Sequence, residues 1–178
     1  MKHITVSAPA KLNLFLAVGP RCTNGFHEVE TVTVQLNLAD QLELQIGHGI
    51  TESSFSLTCK PDNLFPDPIP QDDRNLVVQA LKRFAEVSCI DIATAIHLIK
   101  RIPSQAGLGG GSSDAAALLK ACNRLWNLRL DSKKLAYIAE LLGSDVPLFL
   151  GPTYSYCFGR GELVWPLFRT PTNNGPRL

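Results

Sequence analysis

The chain has almost no net charge and no long apolar segment. Its 178 residues include 17 Lys and Arg against 16 Asp and Glu, which leaves a formal charge of +1 at pH 7. A field this weak attracts neither nucleic acid nor an anionic membrane surface. No segment stays apolar for the roughly 20 residues that a membrane-spanning helix needs. A strand-like segment at residues 4–6 leaves no room for a leader peptide. From the weak net charge and the lack of a long apolar segment, we expect no nucleic-acid partner and no membrane insertion.

Cysteines are few and scattered. There are five, and no two of them stand in a C-x-x-C arrangement. This spacing is not typical of a zinc site or a disulfide framework, so we expect reduced thiols and a cytoplasmic protein. The five are Cys22, Cys59, Cys89, Cys122 and Cys157.

No Gly-Lys dipeptide occurs in the sequence, yet glycines cluster at residues 107–111. The first fact excludes the usual P-loop NTPase, whose G-x-x-x-x-G-K-[ST] loop needs that lysine. The cluster itself has little steric bulk, permits left-handed backbone angles, and opens into a segment with helical apolar spacing. Ser112 or Ser113 would lie at the positive end of that helix. The cluster predicts a phosphate-binding loop, with a flexible strand-to-helix turn as the alternative.

A dinucleotide fingerprint is a second candidate for the same loop. Gly107, Gly109 and Ser112 nearly match G-x-G-x-x-G, and Asp131 lies at a plausible distance for a ribose-binding acid. That acid should end an apolar strand, whereas residues 127–130 are short, polar and placed between two helical segments. The pattern therefore disfavours a dinucleotide site.

Strand signals come first along the chain and helix signals mostly later. Residues 11–18, 28–38 and 41–46 alternate or are rich in β-branched side chains, which predicts an antiparallel sheet. A proline-rich loop at residues 61–73 precedes a helix from Leu76, a strand at residues 92–99, and a helix at residues 132–142 that Gly143 ends. This order favours a single α+β domain over a repeating βαβ sheet.

Four motifs, in order, resemble one kinase superfamily. The run PSQAGLGGGSS at residues 103–113 is similar to the ATP-binding motif of the superfamily of galactokinase, homoserine kinase and mevalonate kinases. Within it, SAPAKLNLFL at residues 7–16, GFH at 25–27 and GSDVP at 143–147 resemble the 4-diphosphocytidyl-2-C-methyl-D-erythritol kinases of non-mevalonate isoprenoid biosynthesis. The resemblance implies an N-terminal kinase domain over residues 1–167, a mostly antiparallel sheet packed against helices. Residues 168–178 are expected to be a disordered stub where a C-terminal domain would begin.

The resemblance also implies a reaction and its catalytic residues. The reaction is ATP-dependent phosphorylation of the 2-hydroxyl of 4-diphosphocytidyl-2-C-methyl-D-erythritol. Asp145 would accept the hydroxyl proton, and Lys11 would stand beside it and stabilise developing negative charge. The two-residue period of a strand places Lys11 and Asn13 on one face, opposite Leu12, Leu14 and Leu16. Without the family, a solvated lysine and a turn aspartate are equally good interpretations.

Substrate contacts follow from the same motifs. Asn13 would help to fix the acceptor, while Phe26 would stack on its cytosine and His27 would hydrogen-bond the base. Many family members have tyrosine at the position of Phe26, and phenylalanine keeps the aromatic face without the hydroxyl. An ordinary loop histidine is the alternative for His27.

The implied cofactors are ATP and Mg²⁺. The metal is expected near the two serines, with its ligands unassigned, and candidates for the adenine pocket are Asn63, Leu64, Asn75 and Leu76. The triphosphate would lie along Pro103, Ser104, Gln105, Ala106, Gly107, Leu108, Gly109, Gly110, Gly111, Ser112 and Ser113.

Two other functions stay open at this stage. The chain could be an inactive nucleotide-binding relic, because the second domain of the family is expected to be absent and its loss would uncover apolar surface. It could also be a kinase of the same superfamily that acts on homoserine or mevalonate. The GFH motif at residues 25–27 argues against that second alternative.

Overall fold

The residues that the structure describes form one mixed sheet with four helices, which confirms the predicted α+β class. The computed structural model describes residues 2–21, 25, 27–46, 55–61, 68–90 and 93–168. The strands are β1 (Lys2–Arg21), β2 (His27–Ile46), β3 (Phe55–Pro61), β4 (Thr94–Lys100), β5 (Tyr154–Phe158) and β6 (Leu163–Pro166). The helices are α1 (Leu76–Ser88), α2 (Gly110–Leu125), α3 (Ser132–Leu142) and α4 (Val146–Leu150).

The long strand β2 organises the sheet. It pairs antiparallel with β1 along nearly its whole length, with β4 near its end and with β5 near its start. The strand order is β3-β4-β2-β5-β6, with β1 beside β2, and among the described strands only the β3–β4 pair is parallel. The predicted antiparallel sheet is therefore correct, although β1 and β2 are longer than their sequence patterns suggested.

Helix α2 runs through the centre of the core. Its residues from Ser113 to Leu119 are all buried, because it packs against α1, α3, α4, β1 and β2. A helix that is surrounded on most sides need not be amphipathic. The apolar stripe in the sequence therefore covers fewer residues of α2 than are buried in the structure. Among the residues that the structure describes, no helix is both long enough and apolar enough to cross a bilayer.

A bulge in β1 changes which side chains share a face. Lys11 pairs with Gln35 and Asn13 with Thr33, but a register shift between Asn13 and Phe15 makes Leu16 the partner of Thr31. Because alternate residues of β2 point to the same side, Leu16 lies on the face of Lys11 and Asn13. The prediction that Leu16 shares the face of Leu12 is therefore wrong.

The opposite face of this part of the sheet is apolar and uncovered. Leu12 and Phe15 of β1 are about half exposed, and Trp165 of β6 is 66% exposed. Cross-strand pairing continues this surface over Val32, Val34 and the aromatic residues of β5. We call it the outer face, comprising Leu12, Phe15, Tyr154, Tyr156, Phe158, Leu163 and Trp165.

Some sequence predictions fall outside the described residues. The tail from residue 169 onward, Phe26, Asn63 and Leu64 all belong to this group. The disordered tail and the stacking role of Phe26 therefore stay predictions.

Candidate functional site

The glycine loop connects β4 to α2 through a sequence of unusual backbone angles. Gln105, Gly107 and Gly109 have φ angles of 57°, 74° and 70°, in the left-handed region that favours glycine. Helix α2 begins at Gly110, with Gly109 as its N-cap and no side-chain cap bond. A hydrogen bond of 2.9 Å from the Lys11 amide to the Leu108 carbonyl ties the loop to β1.

Two of the glycines lie in close packing, which is tightest at Gly109. A Cβ at Gly109 would lie 2.8 Å from Phe149 Cζ and 3.1 Å from Lys11 Cγ. A Cβ at Gly110 would lie 3.1 Å from both Ile102 Cγ2 and Lys100 Nζ. The start of α2 is thus pressed against α4, β1 and a lysine ammonium at once.

The loop borders a cavity of about 510 Å³. We call it the glycine-loop cavity, and this volume is in the usual range for small-molecule and cofactor sites. All eleven predicted phosphate-loop residues except Ser113 line it, together with Asn75 and Leu76 from the start of α1. The structure therefore brings the loop and two of the adenine-pocket candidates to one concave surface.

Ser112 and Ser113 differ in accessibility. Ser112 is half-buried and lines the glycine-loop cavity, whereas Ser113 is 1% exposed and faces the core. The Ser113 hydroxyl oxygen has no hydrogen-bond partner among the described residues. Of these two serines, Ser112 is therefore the one that lines the cavity.

Lys11 and Asp145 meet at the edge of this cavity. The Lys11 Nζ and Asp145 Oδ2 atoms are 3.8 Å apart, and Nζ also donates a 2.9 Å hydrogen bond to Asn13 Oδ1. The Lys11 side chain is 11% exposed and that of Asp145 is 46% exposed. Asp145 occupies the N-cap position of α4, and within the described chain its side chain makes no capping hydrogen bond. The close approach that the mechanism requires is present.

A second, smaller cavity lies on the other side of this pair. It has a volume of about 140 Å³, and we call it the strand cavity. Its walls include Asn13, Thr31, Thr33 and Leu16, the face that the β1 bulge brings together, with Arg160 at its margin. Lys11 and Asp145 line both this cavity and the glycine-loop cavity. Any group transferred between the two cavities would pass this ion pair.

His27 lies beside a third cavity. It is the first residue of β2 and not part of a loop, and its Nδ1 lies 3.0 Å from the Gly19 carbonyl oxygen. The histidine cavity, of about 390 Å³, is lined by His27, Val29, Arg160 and residues 140–144. Since residues 143 and 144 directly precede Asp145, the histidine cavity lies near the pair of Lys11 and Asp145.

A buried charge cluster lies beneath the glycine loop. Lys100 Nζ donates to Asp40 Oδ2 and, at 2.8 Å, to Asp114 Oδ2, and all three residues are at most 9% exposed. Burial alone would lower the pKa of Lys100, but Asp114 and Asp40 outweigh it and raise that pKa. Burial raises the pKa of Asp114 to about 7, against the opposing effect of Lys100. The Asp40 carboxylate also accepts the amide of Ile102 at 2.8 Å, which fixes the backbone that leads into the loop.

This cluster was not predicted from the sequence. Lys100 continues the inward period of Ile96 and Leu98, and Asp114 stands one turn before the buried Leu118. A charged residue at an inward position of an apolar face is the signal that would have found it, because such charges are buried only in pairs or networks. Lys100 and Asp114 both line the glycine-loop cavity, so they join the candidate site.

A family model matches the centre of the chain. Residues 75–151 match the GHMP kinases N terminal domain. This segment includes the glycine loop, α1 to α4 and Asp145, but not Lys11 or His27.

Curated relatives extend the similarity over nearly the whole chain. The chain is 40% identical over 169 residues to a 4-diphosphocytidyl-2-C-methyl-D-erythritol kinase of Prochlorococcus marinus (strain AS9601), covering 95% of this chain and 52% of the relative. It is 39% identical over 165 residues to the protein of that name from Protochlamydia amoebophila (strain UWE25), covering 92% and 54% respectively. The chain spans about half the length of these relatives.

Solved structures show the same fold. A crystal structure of 4-(cytidine 5'-diphospho)-2C-methyl-D-erythritol kinase superposes with a TM-score of 0.75 at 35% identity, covering 92% of this chain and 55% of that one. A homoserine kinase from Cytophaga hutchinsonii gives a TM-score of 0.63 at 21% identity, covering 86% and 48% respectively, which shows the fold alone. The chain therefore has the fold of the GHMP kinase N-terminal domain, and it is homologous to curated proteins named 4-diphosphocytidyl-2-C-methyl-D-erythritol kinase.

Proposed function

We propose that this chain provides the ATP-binding and catalytic domain of a kinase that phosphorylates the 2-hydroxyl of 4-diphosphocytidyl-2-C-methyl-D-erythritol. The observation that carries the proposal is the shared wall between two cavities. Lys11 and Asp145 border both the glycine-loop cavity, which suits a triphosphate, and the strand cavity, which suits an alcohol. A phosphoryl group moving from donor to acceptor would then cross the ion pair.

Asp145 and Lys11 have complementary roles in this proposal. The exposed Asp145 carboxylate would accept the hydroxyl proton as the acceptor oxygen attacks the γ-phosphoryl group. The buried Lys11 ammonium, oriented by Asn13, would stabilise negative charge on the transferring group. At 3.8 Å the two side chains form an ion pair without a short hydrogen bond, which leaves the carboxylate open to a substrate hydroxyl.

The residues present fit a magnesium ion held mainly by the nucleotide. Mg²⁺ usually keeps several waters and takes few protein oxygens beside substrate phosphates. Ser112 and Asp114 both line the cavity, and the buried Oδ1 of Asp114 has no hydrogen-bond partner among the described residues. When bound, the ion would neutralise part of the triphosphate charge. We propose Ser112 as its protein ligand in preference to the buried Ser113.

The proposal is tested by ATP-dependent turnover of the purified chain. Product is followed by mass spectrometry with the diphosphocytidyl alcohol, homoserine and mevalonate as parallel acceptors. Phosphorylation of the diphosphocytidyl alcohol in clear preference to the other two is the expected result. Product at the uncatalysed background would reject the proposed activity for this chain, and preference for another alcohol would reject the acceptor.

Replacing the general base separates chemistry from binding. Asp145→Asn should lower kcat about 100-fold or more with little change in KM for ATP, because the carboxylate accepts the hydroxyl proton of the acceptor in the transition state. The matched control is Asp73→Asn, since Asp73 is an exposed partner of Lys82 and lies outside the three cavities described above. Equal losses of kcat in the two variants would contradict the assigned role.

A further inference from the structure

The position of Asp145 depends on helix α4. Asp145 immediately precedes this helix, and within the described chain its side chain makes no capping hydrogen bond. Its side chain is about half exposed, and its ion pair with Lys11 is long, at 3.8 Å. These contacts hold the carboxylate only weakly, so its place beside Lys11 is set by the helix that follows it.

Two side chains from neighbouring elements hold the C-terminal end of α4. The Nζ atom of Lys120, on α2, donates a 2.6 Å hydrogen bond to the Phe149 carbonyl oxygen. The Nε2 atom of Gln35, on β2, lies 3.5 Å from the Leu148 carbonyl oxygen and 3.3 Å from that of Pro152. The last carbonyls of a helix have no partner within it, so a helix of five residues relies on such outside donors. The lysine bond is shorter and carries a charge, which makes it the stronger anchor.

These two anchors connect α4 to both parts of the candidate site. Lys120 belongs to the helix that begins in the glycine loop, and Gln35 is the cross-strand partner of Lys11. Phe149, whose carbonyl accepts the lysine bond, also packs its ring against Gly109. The short helix is therefore fixed relative to the glycine loop on one side and to Lys11 on the other. A shift of its C-terminal end would move its N-cap residue relative to both.

Lys120 influences the site without lining it. Within the described chain, it belongs to none of the three cavities described above. It is half-buried, and burial together with the charge of Arg124 lowers its pKa. A charge at this position therefore has an electrostatic cost that an apolar side chain would avoid. The hydrogen bond to the Phe149 carbonyl oxygen offsets that cost.

We propose that Lys120 is a positioning residue, which anchors α4 so that the Asp145 carboxylate stays beside Lys11. The inference rests on the proposed function, in which Asp145 accepts the hydroxyl proton. A general base must lie within hydrogen-bond reach of the hydroxyl that it deprotonates. A displacement of about 1 Å therefore lowers the rate of the chemical step without weakening the binding of ATP.

Steady-state kinetics of three variants tests this role. Lys120→Met keeps the apolar stem and removes the ammonium, so it should lower kcat about tenfold, with KM for ATP and for the acceptor unchanged within about twofold. Lys120→Arg keeps a charged donor and should restore kcat to within about threefold of the unaltered chain. The matched control is Lys2→Met, because Lys2 Nζ also donates to a carbonyl at a helix end, that of Leu125 in α2. This control should leave kcat unchanged.

A second readout does not depend on turnover. In the folded protein, Lys120→Met should shift the amide NMR resonance of Asp145, whereas Lys2→Met should leave it in place. A substitution that only destabilised the fold would lower the folded fraction without moving the folded-state resonance. Calorimetric titration with a non-hydrolysable ATP analogue gives the fraction of chains that can bind nucleotide, and kcat is normalised by that fraction.

The outcomes distinguish this inference from the proposed function. In Lys120→Met, an unchanged normalised kcat and an unshifted Asp145 resonance would overturn the role of Lys120 alone. A loss of kcat that only equals the loss of binding-competent chains would show a merely structural role and would also overturn it. No turnover by the unaltered chain, with the Asp145 resonance still shifted in Lys120→Met, would overturn the proposed function and support the anchoring of α4 by Lys120.

Discussion

Gly109 occupies the tightest point of the site. Its φ angle is in the left-handed region, and a Cβ there would meet the Phe149 ring and the Lys11 stem. Gly107 has a similar angle, but a Cβ at that position would have no neighbouring atom within 4 Å. Gly111 is helical, and a Cβ there would make only an ordinary contact of 3.6 Å with Leu76 Cδ1. These three glycines separate backbone strain from steric overlap.

Alanine at the three positions should therefore give graded effects. Gly107→Ala should cost about 1 kcal/mol of unfolding free energy from its backbone angle. Gly109→Ala should cost about 2 kcal/mol or more, because overlap is added to the angle. Gly111→Ala should be neutral or slightly stabilising, as expected for glycine to alanine within a helix. Urea denaturation measures all three, and equal costs at 107 and 109 would show that the contact with Phe149 is unimportant.

Asp114 gives the chain a pH-dependent component of stability. Burial raises the pKa of the Asp114 carboxyl group to about 7. The titratable groups that interact with it are Lys100 of β4, Asp40 of β2 and Cys59 of β3. The raised pKa means that the folded state holds this proton more tightly than the unfolded state. Its contribution to stability is complete below about pH 4 and is lost as the pH rises through about 7.

Asp114→Asn should remove that loss. Relative to the unaltered chain, the variant should gain unfolding free energy between pH 5 and pH 7, at a rate of at most about 1.4 kcal/mol per pH unit. Urea titrations at several pH values measure the difference, with the exposed Asp73→Asn as the control. Parallel curves for Asp114→Asn and the unaltered chain would contradict the raised pKa.

The buried charge cluster shows a set of contacts that local residue patterns do not predict. Asp40, Lys100 and Asp114 come from three separate elements, and although Lys100 and Asp114 stand at inward positions, nothing in their own segments shows that they pair with each other. Their pairing depends on β2 and β4 being adjacent and on α2 crossing them, which no local pattern encodes. Lys11 and Asp145 were identified through motifs, whereas the neighbouring cluster needed the fold.

Helix α4 is too short to be stable alone. It has five residues, four of them buried, and its N-terminus carries Asp145. An isolated helix of this length would not form in water, so packing against α2 must hold it. The contact between Phe149 of α4 and Gly109 at the start of α2 is therefore a link between the helix that follows Asp145 and the glycine loop.

A double-mutant cycle should detect this link. Phe149→Leu removes the ring atoms that would overlap a Cβ at position 109, so it should offset part of the cost of Gly109→Ala. The coupling energy should be about 0.5–3 kcal/mol. The control cycle pairs Phe149→Leu with Gly107→Ala and should be additive, since a Cβ at position 107 would have no neighbour within 4 Å. Additivity in both cycles would rule out the link.

Elements were more predictable than their faces. Apolar periodicity identified α1 and α3, and α3 spans Ser132–Leu142 as predicted. The bulge after Asn13 was not predicted, because it arises from the register between β1 and β2 and reverses the side on which Leu16 lies. The sequence of a single strand predicts that its side chains alternate between the two faces of the sheet. It does not show at which residue a bulge reverses that alternation.

For the whole molecule, the outer face dominates the exposed apolar surface of the sheet. Trp165 and Phe15 lie there in one cross-strand row that runs through Val32 and Tyr156, and a net charge of +1 provides little repulsion between molecules. We therefore expect this face to bind hydrophobic dyes and to cause association at high concentration.

Trp165→Glu should reduce both effects. Dye fluorescence and concentration-dependent light scattering should fall, with unfolding free energy unchanged within about 0.5 kcal/mol, as for a surface substitution. The control is Tyr137→Glu, because Tyr137 is 56% exposed but lies on α3. Equal reductions in the two variants would show that general charge, and not the outer face, governs association.

The ion pair between Lys11 and Asp145 also affects the order in which parts of the chain fold. Lys11 belongs to the first strand and Asp145 to the turn before the last helix, so their approach closes most of the chain into one loop. Contacts between residues so far apart in the sequence form late in folding. The chain must first lose the conformational entropy of the loop that the contact closes, and only then does the contact stabilise the folded state. During refolding, the helices should regain their circular dichroism before Lys11 and Asp145 come together, so the formation of this pair would mark the completion of the fold.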